Sequence, residues 1–288
     1  MRKLMTALLA VFCITAYSQK IDKKLEAQIN EIIKGFNGDV GIYIHDLKHN
    51  KIVAINADTV FPTASIVKIP ILLGIMRKIQ DGELKYHQRL IYKDSLFYSE
   101  GDDILSNFKE GSEIELSKVM MLMLTISDNC ASLWLQGLSG SGTRINQVLD
   151  SMGLKSTRVN SRTPGREQNR SVYGWGQTSP REIAWVMEQI VNGRVFTKEA
   201  SDKMLRLLSR QYWDEEAISQ IPAGVFLADK NGAVDASRNE IIYVNGKKAP
   251  YILSIFTKNN KDNSWEQTNE AWVMTRKVSA LVWKYLNE

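Results

Sequence analysis

The sequence predicts an α+β fold: a mostly antiparallel sheet built from both ends of the chain and flanked by N- and C-terminal helices, with an all-helical lobe inserted between them. Three observations carry this. β-Rich runs cluster at residues 39–57 and 224–259. Helical patterning dominates from about 94 to 215. Amphipathic helices stand near each end, outside the strand runs. The 288 residues, at 44% apolar and 24% charged, suffice for one or two domains with a sizeable core. The expected division is an α/β lobe at about 19–64 and 216–288 and a helical lobe at about 65–215.

The first residues, "MRKLMTALLAVFCITAYSQ", read as a signal peptide over 1–18. Arg2 and Lys3 start it, residues 4 to 16 are almost wholly apolar, and Ala16-Tyr17-Ser18 offers small residues at the spacing a signal peptidase needs. The apolar run is shorter than the ~20 residues that span a bilayer, so no stable membrane insertion is expected after cleavage. The mature protein is expected to be exported, periplasmic or secreted. Phe12 before Cys13 argues against lipidation.

An amphipathic helix follows over 21–35, with Ile21, Leu25, Ile29, Ile32 and Ile33 near helical spacing. "DVGIYIHDL", "HNK" and "IVAINAD" form a hairpin pattern. A helix begins near Ser65 and runs through "IVKIPILLGIMRKIQDGEL"; Pro70 is tolerable there because N–H groups near a helix start have no helical partners to lose. "ELSKVMMLMLTI", "ASLWLQGL" and "TRINQVLDSMG" are the next clear helices, and the Met-rich run at 120–123 reads as core packing. Residues 155–178 are polar with no period, so they read as a loop, and one this long is usually functional or mobile. Ser179 and Pro180 then start a helix as cap and first helical residue. Three strands follow, in "GVFLADKNGA", "NEIIYVNG" and "APYILSIFTKN", and residues 267–287 close the chain as a helix.

The formal charge of +5 comes from scattered basic residues with no arginine-rich arm, which gives no sign of a nucleic-acid partner. Cys13 and Cys130 are the only cysteines, so cleavage of the leader leaves Cys130 alone and no intramolecular disulfide possible. Cys130 reads as a small buried hydrophobe. His45, His49 and His87 are dispersed and no cluster has metal-ligand spacing. No metal or organic cofactor is expected, and the base for any nucleophile is expected to be a lysine or a carboxylate.

"FPTASIVKIP" places Ser65 three residues before Lys68 at the start of an apolar helix. The bland reading is an N-cap and a snorkelling lysine. The chemical reading is an activated nucleophile: on one helix face, a lysine in the positive potential of a helix N-terminus and partly desolvated loses its proton more easily and can take that of Ser65. The same pattern at Ser106 and Lys109 has no long apolar helix behind it. "TISDNCASL" carries Ser127, Asp128 and Asn129, either as helix caps or as a proton relay, a loop tie and an amide ligand respectively. "ADKNGAV" is either a hairpin turn at Asn-Gly or an edge strand. In the second case Lys230 binds a substrate carboxylate, Gly232 leaves room for the substrate to approach, and the N–H of Ala233 joins that of Ser65 as an oxyanion hole.

The three pieces in this order resemble the S-x-x-K, S-D-N and K-T-G pattern of the class A β-lactamases and penicillin-binding serine acyl-enzymes. The resemblance runs from about residue 37 to the C-terminus and includes "IPAGVFLADKNGA" and "QTSPREIAWVM". It implies a β-lactamase/transpeptidase-like fold, the same arrangement reached above from strands and helices. It implies Ser65 as nucleophile, Lys68 as base or proton shuttle and Ser127 as donor to the leaving nitrogen. Asn129, Lys230, Asn231 and Ala233 then contact a small-molecule substrate, a β-lactam or a cell-wall peptide. The protein is expected to be a monomer, and its small size and single catalytic unit favour the lactamase over a cell-wall peptidase.

Two departures stand out. Asn231 replaces the usual threonine or serine, with a larger, differently shaped amide at a carboxylate-binding position. The E-x-x-L-N context that carries the family's deacylating glutamate is absent, and Glu167 is the only carboxylate between Asp150 and Glu182. Glu167 is either that base or a surface residue paired with Arg166 or Arg170. Tyr173 and Trp175 either stack on substrate or anchor the loop. The expected activity is β-lactam opening through an acyl-Ser65. The rivals are a cell-wall peptidase or penicillin-binding protein with slow deacylation, and a catalytically silent binding or sensing domain.

Overall fold

The computed structural model describes residues 19–98 and 103–288; the leader assigned to 1–18 lies outside the described residues. The first elements are β1 (Lys20–Ile21), α1 (Lys23–Ile33), β2 (Asp39–Asp46) and β3 (Lys51–Ile55). Ile21 is not part of the first helix, as its spacing predicts. It sits in β1, 55% exposed, because Asp22 caps α1 by accepting the Leu25 N–H at 3.1 Å. The β2–β3 hairpin forms as predicted, with the Asp46 carboxylate accepting the Lys48 and His49 N–H groups in the turn.

The helical region begins after β4 (Phe61–Pro62). A 3₁₀ turn over Ala64–Val67 leads into α2 (Lys68–Gln80). The predicted helix therefore starts at Lys68, and Pro70, its third residue, loses no helical bond. β5 (Arg89–Ile91) pairs with β6 (Glu113–Glu115), followed by α3 (Leu116–Thr125), α4 (Asn129–Leu138) and α5 (Ser141–Ser151).

The stretch predicted as a featureless loop contains β7 (Arg158–Val159), α6 (Glu167–Tyr173) and β8 (Gly176–Thr178). These elements are too short to leave a period in the sequence and depend on tertiary anchors. Three successive backbone N–H groups, of Lys155, Ser156 and Thr157, bond the Glu182 carboxylate at the neck. β8 pairs with β4, and the Thr63 N–H donates to the Gly176 carbonyl at 2.9 Å. Trp175 packs its partly buried ring on the core and meets Tyr98 edge-on, which is the anchoring role.

α7 (Pro180–Val191) starts at the predicted Ser179 cap, and α8 (Lys198–Leu208) follows. The chain closes with β9 (Leu227–Val234), β10 (Ser237–Val244), β11 (Tyr251–Lys258) and α9 (Glu270–Asn287). The main sheet has the order β1-β3-β2-β11-β10-β9, antiparallel except for the short β1–β3 pair. Strands from both ends of the chain thus interleave, and β9 is an edge.

One core cluster packs α1 and α9 against one face of the sheet through residues such as Leu25, Ile29, Ile42, Leu253, Val278 and Val282. The other joins the opposite face to α2–α5, α7 and α8. α7 lies directly on that face: His45 meets Glu188 at 3.0 Å, and the Arg181 guanidinium covers the Tyr43 ring. Gly41 permits the approach, since a Cβ there would fall 2.5 Å from Phe61 and 2.9 Å from Pro180. Among the described residues no helix is long and apolar enough to cross a membrane.

Candidate active site

Ser65, Lys68, Ser127 and Asn129 converge on one point. The 3₁₀ turn presents Ser65, because residues three apart eclipse in that geometry and so bring Lys68 back under it. The Lys68 ammonium nitrogen lies 2.9 Å from Ser65 Oγ, 2.9 Å from Ser127 Oγ, 2.8 Å from Asn129 Oδ1 and 2.5 Å from the Ser127 carbonyl. An ammonium has only three protons for these four acceptors, whereas the neutral amine can itself accept from a serine hydroxyl. Lys68 is fully buried. Burial first, and then the Lys230 charge, hold it well below the usual lysine range.

Two turns carry the serines under backbone strain. Ala64, just before Ser65, has φ +45°, and Ser127 has φ +64°, both in the left-handed region that non-glycine residues avoid. The surroundings hold these turns in place. The Asp128 carboxylate accepts the Ala131 and Leu105 N–H groups, at 2.7 and 3.0 Å. Asp128 thus caps α4 and ties the loop, while the same turn brings Ser127 Oγ to Lys68. Asp103, which sequence reasoning missed, accepts the N–H of Asn129 at 2.6 Å and that of Cys130 at 3.3 Å. Its role needs a contact 26 residues along the chain, and no local pattern signals it. Cys130 is buried, and burial with the neighbouring carboxylates pushes its thiol up to about 11, far from nucleophilic use.

Lys230 and Asn231 lie on β9, in mid-strand; the Asn-Gly hairpin turn is not there. Lys230 is fully buried, and burial pulls it down to about 8 against the opposing pull of Asp229 and Glu240. It donates to the Asn231 carbonyl at 2.9 Å and to Asn231 Oδ1 at 3.1 Å. The Asn231 amide nitrogen donates to the Trp213 carbonyl, and Gln211 donates to Asn231 Oδ1. The segment 211–213 in turn bonds to the end of α3 through Tyr212 N–H to Thr125 O and Trp213 Nε1 to Ile126 O. Asparagine thus links the edge strand to the Ser127 turn.

Gly232 makes room for the nucleophile turn itself. A Cβ there would fall 2.7 Å from Thr63 O and 2.8 Å from Ser65 N. Gly232 also lines the cavity that opens beside that turn.

A cavity of about 470 Å³ opens over this floor. Ser65, Ser127, Asn231 and Ala233 line it, together with Trp213, Trp265 and Trp272 and the carboxylate residues Glu215, Glu216 and Glu240. Lys68 and Lys230 lie beneath, sealed from water.

Glu167 is elsewhere. It is exposed at the start of α6, accepts the Gly165 N–H at 3.1 Å, and lines a separate cavity of about 290 Å³ with Asn160, Arg162 and Arg170. The expected ion pairs to Arg166 or Arg170 do not form; Arg166 bonds Asn160 and Gln177 instead. Ser106 donates to the Tyr98 carbonyl and takes no part. The histidines hold carboxylates at three dispersed places: Glu188 for His45, Asp46 for His49 and Glu115 for His87.

Known proteins share this architecture. The chain is 20% identical to the β-lactamase VEB-1 of Pseudomonas aeruginosa, over 99% of its own length and 97% of that protein's. A variant of PBP-A, solved as its acyl-enzyme with penicillin G, superposes with a TM-score of 0.82 at 24% identity, covering 93% of this chain and 97% of the other. A β-lactamase from Chitinophaga pinensis superposes at 0.83 with 19% identity, covering 92% and 100%. These likenesses show the fold. The sequence pattern described as the beta-lactamase enzyme family (Beta-lactamase2) matches residues 24–286, and with nearly the whole described chain inside it, this protein belongs to that family.

Proposed function

We propose that the protein opens the amide of a β-lactam through an acyl-Ser65 intermediate and hydrolyses the resulting ester. One observation carries the reading: Lys68 stands 2.9 Å from both serine hydroxyls, in a place that favours its neutral form. Neutral Lys68 takes the Ser65 proton as Oγ attacks the lactam carbonyl. The N–H groups of Ser65 and Ala233 hold the oxyanion. Lys68 then passes its proton to Ser127, whose own proton goes to the leaving nitrogen as the C–N bond breaks. Lys68 ends neutral again. Asn129 orients Lys68 and the substrate amide, while Lys230 and Asn231 hold the substrate carboxylate. The leader-like residues 1–18 support export to the periplasm or medium, where a monomer meets β-lactams and confers resistance.

Ser65→Ala tests this directly. The variant is expected to lose β-lactam hydrolysis, and retained hydrolysis contradicts the account. A second reading has one observation in its favour. Glu167 opens to a different cavity, so the loop supplies no carboxylate to the Ser65 cavity. That favours a slowly deacylating, penicillin-binding type of enzyme acting on cell-wall peptide. The ratio of steady-state rate to acylation rate separates the two.

A further inference from the structure

The N-terminal end of the fold stands apart from the Ser65 site. Gln19 follows directly on Ala16-Tyr17-Ser18, so removal of the leader-like residues 1–18 leaves it as the first residue, with a free α-amine. β1 then fixes where that residue lies. Lys20 pairs with Lys51 on β3, and the Lys20 N–H donates to the Asn50 carbonyl at 3.1 Å. This seats Gln19 against side chains of β2 that take no part in the chemistry proposed above.

Two of those side chains meet the Gln19 amide. The Tyr43 hydroxyl donates to its Oε1 at 3.2 Å. His45 Nε2 lies 3.5 Å from its nitrogen, at the outer limit of a hydrogen bond. Tyr43 and His45 are two apart on β2 and so share a face. The buried His45 ring is itself held on both sides. Its Nδ1 meets the Glu188 carboxylate at 3.0 Å, and its Nε2 meets Asn50 Oδ1 at 3.1 Å. Both neighbours are accepting oxygens, so both ring nitrogens carry protons. Burial lowers His45, but its bonds to Glu188 and Asn50 outweigh burial and raise it. A hydroxyl on the carbonyl oxygen and an imidazolium beside the nitrogen are the groups that assist loss of ammonia from an amide.

We propose that the mature chain carries a pyroglutamyl residue at position 19, and that Tyr43 and His45 form the site that makes it. The α-amine of Gln19 attacks its own side-chain carbonyl carbon and closes a lactam ring. The carbonyl oxygen gains charge against the Tyr43 hydroxyl. The Cδ–Nε2 bond then breaks, His45 Nε2 gives its proton to the leaving nitrogen, and ammonia departs. The proton shed by the attacking amine restores His45. The closed terminus has no α-ammonium, the group an aminopeptidase recognises. The inference rests on the leader reading and is independent of β-lactam hydrolysis.

Intact-protein mass spectrometry of the chain exported with its own leader reads the first residue and its modification together. The expected product begins at Gln19 and is lighter by one ammonia. An unmodified Gln19 overturns the proposal, and a chain that starts elsewhere overturns it through the leader reading instead. The site itself is tested on the folded chain 19–288, released by a protease from a removable prefix. Its loss of ammonia, followed by mass, is expected to run about 100-fold faster than in the free peptide QKIDKKLE. Tyr43→Phe keeps the ring under the Arg181 guanidinium and removes only the hydroxyl. This variant is expected to fall most of the way to the peptide's rate at unchanged Tm, and His45→Gln to fall likewise. Closure at the peptide's rate in the unaltered chain, or an unchanged rate in both variants, overturns the assigned site.

Discussion

Lys68 shows how burial makes a base out of a residue that is ordinarily an acid. Its ammonium has lost bulk water, and Lys230 adds a like charge nearby. The neutral form is therefore favoured, and activity is lost as falling pH restores the charge. Lys68→Ala is expected to slow acylation by about 100- to 10,000-fold, the range of a positioned general base. Stopped-flow acylation with a chromogenic cephalosporin measures this, and an unchanged rate removes the assigned role. Asn231 tests a different point, because its side chain bonds Lys230, Gln211 and Trp213 together. Asn231→Thr restores the family's usual chemistry but breaks the link to Trp213. KM is expected to change more than kcat, and a selective fall in kcat contradicts a binding role.

At the scale of elements, the site depends on how closely β9 lies against the turn carrying Ser65. Gly232→Ala places a methyl carbon 2.7–2.8 Å from backbone atoms of that turn, which has no flexible end to yield. The strand and the turn must separate. Overpacking of this kind costs about 1–3 kcal/mol, and a 1 Å misplacement costs about 100-fold in rate. Thermal unfolding and kcat/KM of this variant are expected to fall together; full activity means the contact is unimportant. The element carrying Glu167 behaves differently. α6 faces its own cavity, so Glu167→Gln is expected to leave deacylation unchanged. A deacylation rate lowered 100-fold or more identifies Glu167 as the base after all.

At the scale of the molecule, two lysines with opposite requirements set the pH window. Lys68 must be neutral, and Lys230 must be charged. As pH rises through about 8, Lys230 loses the proton that binds a carboxylate, so KM for an anionic substrate is expected to rise there. The interleaved sheet was legible in the sequence because its strands are long and their turns carry Asn and Asp. Ser65, Lys68, Ser127, Asn129 and Lys230 were legible because each motif is local and the three occur in order. Asp103, Gln211 and Glu240 were not, since their partners are set by tertiary contact and their types are ordinary on a surface. The 155–178 stretch carries no local signal for the same reason: Thr63 anchors β8, Glu182 anchors the segment before β7, and Arg166 and Asn169 tie α6 to Gln177.

The central claim is that Ser65 becomes acylated and that the acyl group then leaves by water. Intact-protein mass spectrometry of the chain with benzylpenicillin, sampled over time beside product formation, reads both steps. The account predicts a penicilloyl adduct that maps to Ser65, accumulates because deacylation is the slower step, and clears as product appears. No adduct and no Ser65-dependent product would contradict it.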